Sequence, residues 1–338
     1  MSPRKLKFGS RSVQFECYGR QFVERAQGRG IPGTDVLQNH LWVQFMDKRG
    51  NARDIIGRYW TGSQYQVSHR SFTNPTDRLP AISSFAEFVA KKIDDVKKIK
   101  KTEDVNETED HKEIGDDYIV GLFRPDLHRG LTWNKKKENK VNGFQDHVQK
   151  SFFGLGKHYV APSWSWISTP SSTYSWHAST VATITEADCD IKAEIQLERE
   201  DNPFGRVKSG HIVLTSKAYH SESMQLYMQE EKLKLKDNAG FEADVDLDWA
   251  LQLGPDEDLL ISDCHWDETH PLWKSQGPLS GMHLVPLIQE EDGSETIGLI
   301  IVPFPNQKDE FYMRAGIFTS KGTWNLSEDC PRKSLRVF

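Results

Sequence analysis

The chain has 338 residues, of which 37% are hydrophobic and 27% are charged, and its formal net charge is −6 at pH 7. This length is typical of two domains, and an acidic balance argues against nucleic-acid binding and against a polybasic membrane-binding surface. The sequence contains no run of 18 apolar residues, and its basic N-terminus lacks an apolar segment, so we expect neither a transmembrane helix nor a signal peptide.

The four cysteines, Cys17, Cys189, Cys264 and Cys330, are separated by long, irregular gaps without a C-x-x-C motif. In a chain of this size, such spacing indicates reduced thiols of an intracellular protein rather than a disulfide framework. The sequence therefore predicts a cytoplasmic protein.

The first 25 residues predict a small β-hairpin. Apolar and polar side chains alternate in "RKLKF" and in "SVQFEC", and Gly9-Ser10 lies between these two segments. A lone hairpin is marginally stable in water, so this one must pack against other structure. The "GRGIPG" segment that follows predicts a loop.

Residues 26–157 predict a helical region. In residues 34–45 and again in 55–60, apolar side chains recur at spacings near those of a helix. "TNPTDRLP" then interrupts the pattern with two prolines, and "SSFAEFVAKKIDDV" predicts a further helix. Ser84 and Glu87 have the spacing of a capping box, which places the start of that helix.

A charged segment, residues 97–117, divides the helical region. It contains dense charge of both signs and few apolar residues, which predicts a solvated insertion. A regulated or partner-binding loop is the functional alternative. Residues 118–133, "YIVGLFRPDLHRGLTW", then resume the helical spacing of apolar side chains.

Residues 158–338 predict a β-rich domain. From Ala187 to Leu197 every odd residue is apolar and most even residues are polar, which is typical of a half-buried strand. Asp292-Gly293 predicts a hairpin turn. Further predicted strands are "HIVLTSKAY", "LLISDC", "MHLVPLI", "IGLIIVPF", "FYMRAGIF" and "SLRVF". The predicted fold class is α+β, with a helical N-terminal part packed on an antiparallel β-sandwich or barrel-like C-terminal part.

The segment "HYVAPSWSWIS" contains Trp164 and Trp166, which point to the same face if the segment is a strand. Two neighbouring indoles, together with Trp176, would suit a platform on which a sugar or a base stacks, and these three are the candidate ligand-binding residues. The competing interpretation is aromatic filling between the sheet and the helices. The apolar neighbours Val160 and Ile167 favour that second interpretation.

No other segment carries a recognisable chemical motif. The sequence lacks the nucleophile-elbow, phosphate-loop, zincin and EF-hand patterns. Residue types that can bind metals are concentrated in "CHWDETHP", which contains Cys264, His265, Asp267, Glu268 and His270. A zinc site needs about four ligands at defined spacing, and His283 is the nearest further candidate. The sequence therefore predicts no catalytic residue, cofactor or metal site.

Five segments, in order, resemble the region that follows the heterokaryon incompatibility (HET) domain in fungal HET-domain proteins. They are "SPRKLKFGSRSVQFEC", "VSHRSFTNPTDRLPAIS", "DDYIVGLFRPDLHRGLTW", "YVAPSWSWIS" and "FYMRAGIF". "APSWSW" matches the family's "aPSWSWaSv" segment closely. Departures occur at Phe15, Val67, Ser84 and Phe123, where the family usually has tryptophan, tyrosine, glycine and tryptophan. In this resemblance, residues 1–25 correspond to the last hairpin of the HET domain.

The resemblance implies a link to fungal non-self recognition and programmed cell death, with protein partners. Upstream blocks typical of the HET domain do not occur, so it also implies a truncated product in which most of that domain is missing. The functional hypothesis is a non-catalytic C-terminal scaffold or recognition region. The alternative is a carbohydrate-binding or glycoside-processing β-domain that uses Trp164 and Trp166.

Overall fold

The architecture is that of a computed structural model in which helices pack on a large, mostly antiparallel sheet. This confirms the predicted α+β class with a β-rich C-terminal part. The structure describes residues 4–8, 12–17, 20–25, 31–32, 51–68, 70, 72–103, 115–135, 140–142, 159–169, 184–220, 224–230, 232–238, 240–250, 259–260, 279–291, 293–304, 311–321 and 332–338.

The N-terminal residues form a four-stranded antiparallel sheet in sequential order. Its strands are β1 (Arg4–Phe8), β2 (Ser12–Cys17), β3 (Arg20–Arg25) and β4 (Ile31–Pro32). The β1–β2 pairing confirms the predicted hairpin. The sheet continues beyond that hairpin, and β4 lies within the segment that the sequence predicted as a loop, because residues 31 and 32 pair with β3.

The helical part has two main stretches. The first comprises α1 (Ala52–Ile55), a π-helical turn (Ile56–Trp60) and α2 (Thr61–Ser68). The second is α3 (Arg78–Glu103), which follows a short 3-10 turn (Pro75–Asp77). Among the helices of the described part of the chain, none combines the length and apolar character needed to span a membrane.

Helix α3 begins six residues before the predicted capping box at Ser84, so that prediction is wrong. The side chain of Asn74 accepts a hydrogen bond from the backbone N–H of Thr76, and Pro75 occupies the first position of the 3-10 turn. Pro80 is tolerated in the first turn of α3, because the N–H that proline lacks would have no partner within the helix there. The helix also continues to residue 103, so the first part of the predicted insertion is helical.

Residues 118–133 are mostly not helical, contrary to the prediction. They form the short strands β5 (Tyr118–Ile119) and β6 (Leu122–Phe123), a 3-10 turn (Arg124–Asp126) and α4 (Leu127–Gly130). Val120 and Gly121 both have positive φ, 41° and 88°, which turns the chain back on itself. The side chains that gave the helical pattern are nevertheless buried: Leu122, Leu127, Leu131 and Trp133.

The described residues form a main sheet of eleven strands. They are β8 (Ile184–Glu186), β9 (Cys189–Leu197), β10 (Val207–Lys217), β11 (Gln225–Gln229), β12 (Lys232–Lys236), β13 (Glu242–Leu247), β15 (Leu259–Leu260), β16 (His283–Glu290), β17 (Glu295–Pro303), β18 (Phe311–Lys321) and β19 (Arg332–Val337). A separate parallel pair joins β7 (Val141–Asn142) to β14 (Trp249–Ala250). The alternating burial of β9 confirms the predicted half-buried strand.

The sheet branches at β18 and nearly closes on itself. Its main path runs β15-β11-β12-β13-β18-β17-β16-β8, while β19 pairs with both β18 and β10. Past the end of β10, Tyr219 forms a bridge with Leu284 of β16, which brings the branch back to the main path. Gly293, with φ of 71°, lies between β16 and β17, and the antiparallel pairing of these strands confirms the predicted hairpin.

Strands β16, β17 and β18 are buried on both faces. Side chains on one face, such as Val285 and Leu299, belong to the same apolar cluster as the helical residues. Side chains on the other face, such as Leu284 and Ile300, pack with residues from β11, β12 and β13. The helical part therefore packs directly on the central strands of the sheet.

Candidate functional site

The segment that contains Trp164 and Trp166 is not a strand. Residues 166–168 form a 3-10 turn, capped by the Ser165 hydroxyl, which accepts a hydrogen bond from the backbone N–H of Ile167. The condition for both indoles to point to one face, an extended strand, is therefore not met. The hydroxyls of Ser165 and Ser168 favour this local turn over an extended chain, because both bond to nearby backbone groups.

Both indoles are shielded from solvent, Trp164 at 0% and Trp166 at 2% exposure. Trp166 Nε1 donates to the carbonyl oxygen of Gly121 at 2.7 Å, and Trp60 Nε1 donates to the same oxygen at 3.0 Å. The Ser165 hydroxyl donates to the Val120 carbonyl at 2.6 Å. These contacts place the pair in the core.

A stacking platform needs an open indole face, and neither Trp164 nor Trp166 offers one in this structure. The structure thus favours aromatic filling over ligand binding for these two residues. Trp176, the third candidate, lies outside the described residues.

The most unusual buried group is Arg314 of β18, which is 0% exposed. The pairing of β17 with β18 shifts after Ile300, which faces Gly316, whereas Ile301 faces Arg314. Ala315 is therefore an extra residue in a β-bulge. Bulges redirect neighbouring side chains, and this one allows Arg314 to reach the helical side of the sheet while Ala315 packs on the other side.

The Arg314 guanidinium joins several distant segments. Its Nε donates to Asp248 Oδ2 at 3.0 Å, and its Nη1 donates to the Leu131 carbonyl at 2.5 Å. Its Nη2 donates to the Trp133 carbonyl, and the guanidinium carbon lies 3.5 Å from the centre of the Trp133 ring. The backbone N–H of Arg314 donates to the Ser163 hydroxyl at 3.0 Å. We call this set of five residues the Arg314 junction.

Two opposing effects act on the charge of Arg314, and burial is the larger of them. Burial lowers the pKa of Arg314, and the adjacent Asp248 carboxylate raises it. Lys140 forms an ion pair with Asp246, close in sequence to Asp248. Each of the three guanidinium nitrogens of Arg314 has at least one hydrogen-bond acceptor, which is the arrangement of a structural ion pair rather than of a group that acts on a substrate.

A second charged cluster lies where α1, α4 and β8 meet. Arg53 forms an ion pair with Glu186, and Glu186 also lies 3.4 Å from His128 Nδ1. Asp126 is only 2% exposed, lies 3.6 Å from Arg129 Nη1, and its Oδ1 makes no hydrogen bond to the described residues. Burial raises the pKa of Asp126 to about 7. A carboxyl group with this property is a candidate for proton-linked behaviour.

The variant Asp126→Asn is expected to change how stability depends on pH. The folded protein binds the Asp126 proton more tightly than the unfolded chain, so stability is lost as pH rises from about 4 to about 7. The asparagine cannot ionise, so the variant does not lose this stability. Relative to the wild type, its free energy of unfolding should therefore increase by up to about 4 kcal/mol over that pH range. Urea unfolding at several pH values measures this difference. Asp95→Asn, an exposed change on α3, should leave the pH profile unchanged, and equal profiles for all three proteins would contradict the assignment.

No metal site is formed by the residues that the structure describes: among them, no group of three or more His, Cys, Asp or Glu side chains is arranged around a common point. The segment 264–271 lies outside the described residues. His283 is buried, donates from Nδ1 to the Gly281 carbonyl at 3.0 Å, and its ring centre lies 4.8 Å from that of His220. Burial lowers the pKa of His283 to about 4, which keeps the imidazole neutral.

Comparisons with known proteins gave no match to a family profile, to a curated protein or to a solved structure. The Arg314 junction, which sequence reasoning missed, therefore stands on its geometry alone. One signal for it was available, because Arg314 is the single charged residue in the otherwise apolar "FYMRAGIF".

Proposed function

We propose that this chain is the non-catalytic C-terminal scaffold or recognition region of a HET-family protein. The resemblance of five ordered segments to that family motivates the proposal. The observation that supports it best is that three of these segments meet at the Arg314 junction: Trp133 belongs to one, Ser163 to the second and Arg314 to the third.

The three matching segments that meet at the junction share a role in packing. Trp133, Trp164 and Trp166 are buried, and their indole or backbone groups bond to other matching segments. Side chains that hold a fold together are buried in this way, whereas side chains that act on a substrate must be accessible to that substrate. We infer that the matching residues define a scaffold and that partners contact its outer surface.

In this proposal the protein is fungal and cytoplasmic, acts through protein partners, and contributes to non-self recognition and programmed cell death. The alternative is a carbohydrate-binding or glycoside-processing domain that uses Trp164 and Trp166. Both indoles are buried, so neither supports that alternative.

A viability assay in a fungal host tests the proposal. The full chain is fused to the C-terminus of a HET domain, and growth is compared with that of cells expressing the same HET domain alone. Cells that express the fusion are expected to differ in growth arrest from cells that express the HET domain alone. The reason is that the scaffold would recruit the partner or hold the domain in its active arrangement. Identical growth with and without the chain would contradict the proposed role.

Two variants of the fusion separate a folded scaffold from an inert extension. Arg314→Met should abolish the effect, because it breaks the junction. Gly57→Ala should preserve it, since a Cβ at that position meets no atom within 4 Å and the residue lies in the π-helical turn. Protein levels must be measured in parallel.

A further inference from the structure

Strand β9 pairs along one edge with β10, in an antiparallel ladder. Among the strands that the structure describes, none pairs with its other edge, so β9 ends this branch of the sheet. At the first residue, His128 Nε2 lies 2.7 Å from the Cys189 carbonyl oxygen, and the open part of the edge therefore starts after Cys189. Such an edge presents backbone N–H and C=O groups with which another chain can pair.

The strand lacks the features that usually protect an edge, which are a proline, a bulge or an inward-pointing charge. β9 contains neither proline nor glycine. Its inward-facing side chains at Ile191, Ala193 and Ile195 are apolar and pack on the same cluster as the helical residues. The ladder with β10 is regular up to its last step, where the register shifts between Val207 and Ser209. The central part of β9 is therefore a regular strand that can accept a neighbour.

Burial decreases sharply at this edge. Ile212 and Leu214 of β10 are both 0% exposed. Their partners across the ladder, Ala193 and Ile191, face the same side of the sheet but are only half-buried. Apolar surface beside β9 is thus open to solvent, and an added strand would remove it from water.

The charge pattern of β9 is complementary to itself. Lys192 and Glu194 are exposed on the outward face, and Ala193, the middle residue of the strand, lies between them. If a second copy pairs antiparallel about Ala193, Lys192 of each copy lies opposite Glu194 of the other. Opposite charges at such positions stabilise a strand pair, and like charges destabilise it. Symmetric registers centred on Lys192 or on Glu194 would place that charge opposite itself.

We propose that two copies of this chain associate through β9, edge to edge and antiparallel about Ala193, into one continuous sheet. Ile191 of each copy then packs beside Ile195 of the other on the inward face, and two Lys192–Glu194 pairs form on the outward face. A two-fold dimer uses the same surface of both copies in this way. Glu194 is available for the contact because its side chain is 73% exposed, although it also lies 3.4 Å from a ring nitrogen of His211. The dimer goes beyond the proposed scaffold role and does not depend on it.

Analytical ultracentrifugation of the full chain over a range of concentrations tests the proposal. We expect the wild type to change from monomer to dimer as its concentration rises. Lys192→Glu and Glu194→Lys should each weaken dimerisation at least about tenfold, because the symmetry turns both opposite-charge pairs into like-charge pairs. The control Lys232→Glu changes a side chain of β12 that is 69% exposed, and it should dimerise as the wild type does.

Exchanging the two charges separates specific pairing from a general effect on folding. The double variant Lys192→Glu/Glu194→Lys restores both opposite-charge pairs and should dimerise as the wild type does. An equimolar mixture of the two single variants should form a heterodimer, because one presents two negative charges at the edge and the other presents two positive charges. A wild type that stays monomeric at every concentration, or single variants that dimerise as strongly as the wild type, would overturn the proposal.

Cross-linking tests the register of the pairing. Ala193 lies opposite its own copy in the proposed dimer, so Ala193→Cys should form a disulfide between copies under mild oxidation. Gln196 would lie about 20 Å from its own copy along the paired strands, so Gln196→Cys should not cross-link above the wild-type level. Equal cross-linking by the two variants would contradict pairing about Ala193.

Discussion

Replacing Arg314 with methionine is expected to lower the free energy of unfolding by about 3–5 kcal/mol. Methionine fills part of the same volume but leaves the Asp248 carboxylate, itself 2% exposed, without its cation. It also removes the donors to the Leu131 and Trp133 carbonyls. Each loss takes a charged donor away from a buried acceptor, which is why the expected effect is large. Urea or guanidinium unfolding followed by tryptophan fluorescence measures it.

Two further variants show whether the burial of the pair causes the effect. Arg332→Met removes an arginine of β19 that pairs with Asp188 and Asp190 at the surface, and it should cost less than about 1 kcal/mol. Arg314→Met combined with Asp248→Leu should recover part of the lost stability, because no charge then remains unpaired. A loss below about 1 kcal/mol for Arg314→Met alone would show that the junction does not hold the segments together.

Local patterns in the sequence predicted most strands of the β-rich part, but not β8, β11 or β12. The alternation in β9 produces a strand with one solvated face, and the Asp292-Gly293 pair lies between two strands that do form a hairpin. Both features depend on interactions between residues close in sequence, or on the contact of one strand face with water. The fold class followed from these patterns together with the strong apolar stripe of α3.

Conformation was harder to predict where tertiary contacts outweigh periodicity. Residues 118–133 have helical spacing of apolar side chains, yet the positive φ values at Val120 and Gly121 form a tight turn instead. That turn presents the Gly121 carbonyl to Trp60 and Trp166, which are distant in sequence. The pattern thus predicted which side chains are buried, but not the path of the backbone.

The candidate site depends on contacts that no local pattern encodes. Arg314 lies 66 residues from Asp248 and 151 residues from Ser163 along the chain. A lone arginine in an apolar strand indicates a buried cation. Its partners, however, lie before the 166–168 turn, after β13 and after α4, and only the tertiary fold brings these segments to β18.

Gly121→Ala is expected to destabilise the fold by about 2–6 kcal/mol. A Cβ at this position would lie 2.9 Å from Ile167 Cγ1 and 2.9 Å from Trp166 Nε1, both too close for a real contact. The backbone φ of 88° adds strain of about 1–3 kcal/mol for any residue with a side chain. Moving Trp166 to relieve the contact would lengthen its hydrogen bond to the Gly121 carbonyl, so the turn and the indole cannot relax independently.

Gly240→Ala separates strain from crowding in this prediction. Gly240 has φ of 90°, almost the same as Gly121, but a Cβ there meets no atom within 4 Å. Its substitution should therefore show the backbone strain alone, and the excess cost at Gly121, about 1–3 kcal/mol, reports the crowding against Trp166 and Ile167. Paired denaturant titrations give that difference. Equal losses of stability in the two variants would mean that the 166–168 turn moves away without cost. That result would contradict tight packing of Trp166 against the 118–123 hairpin.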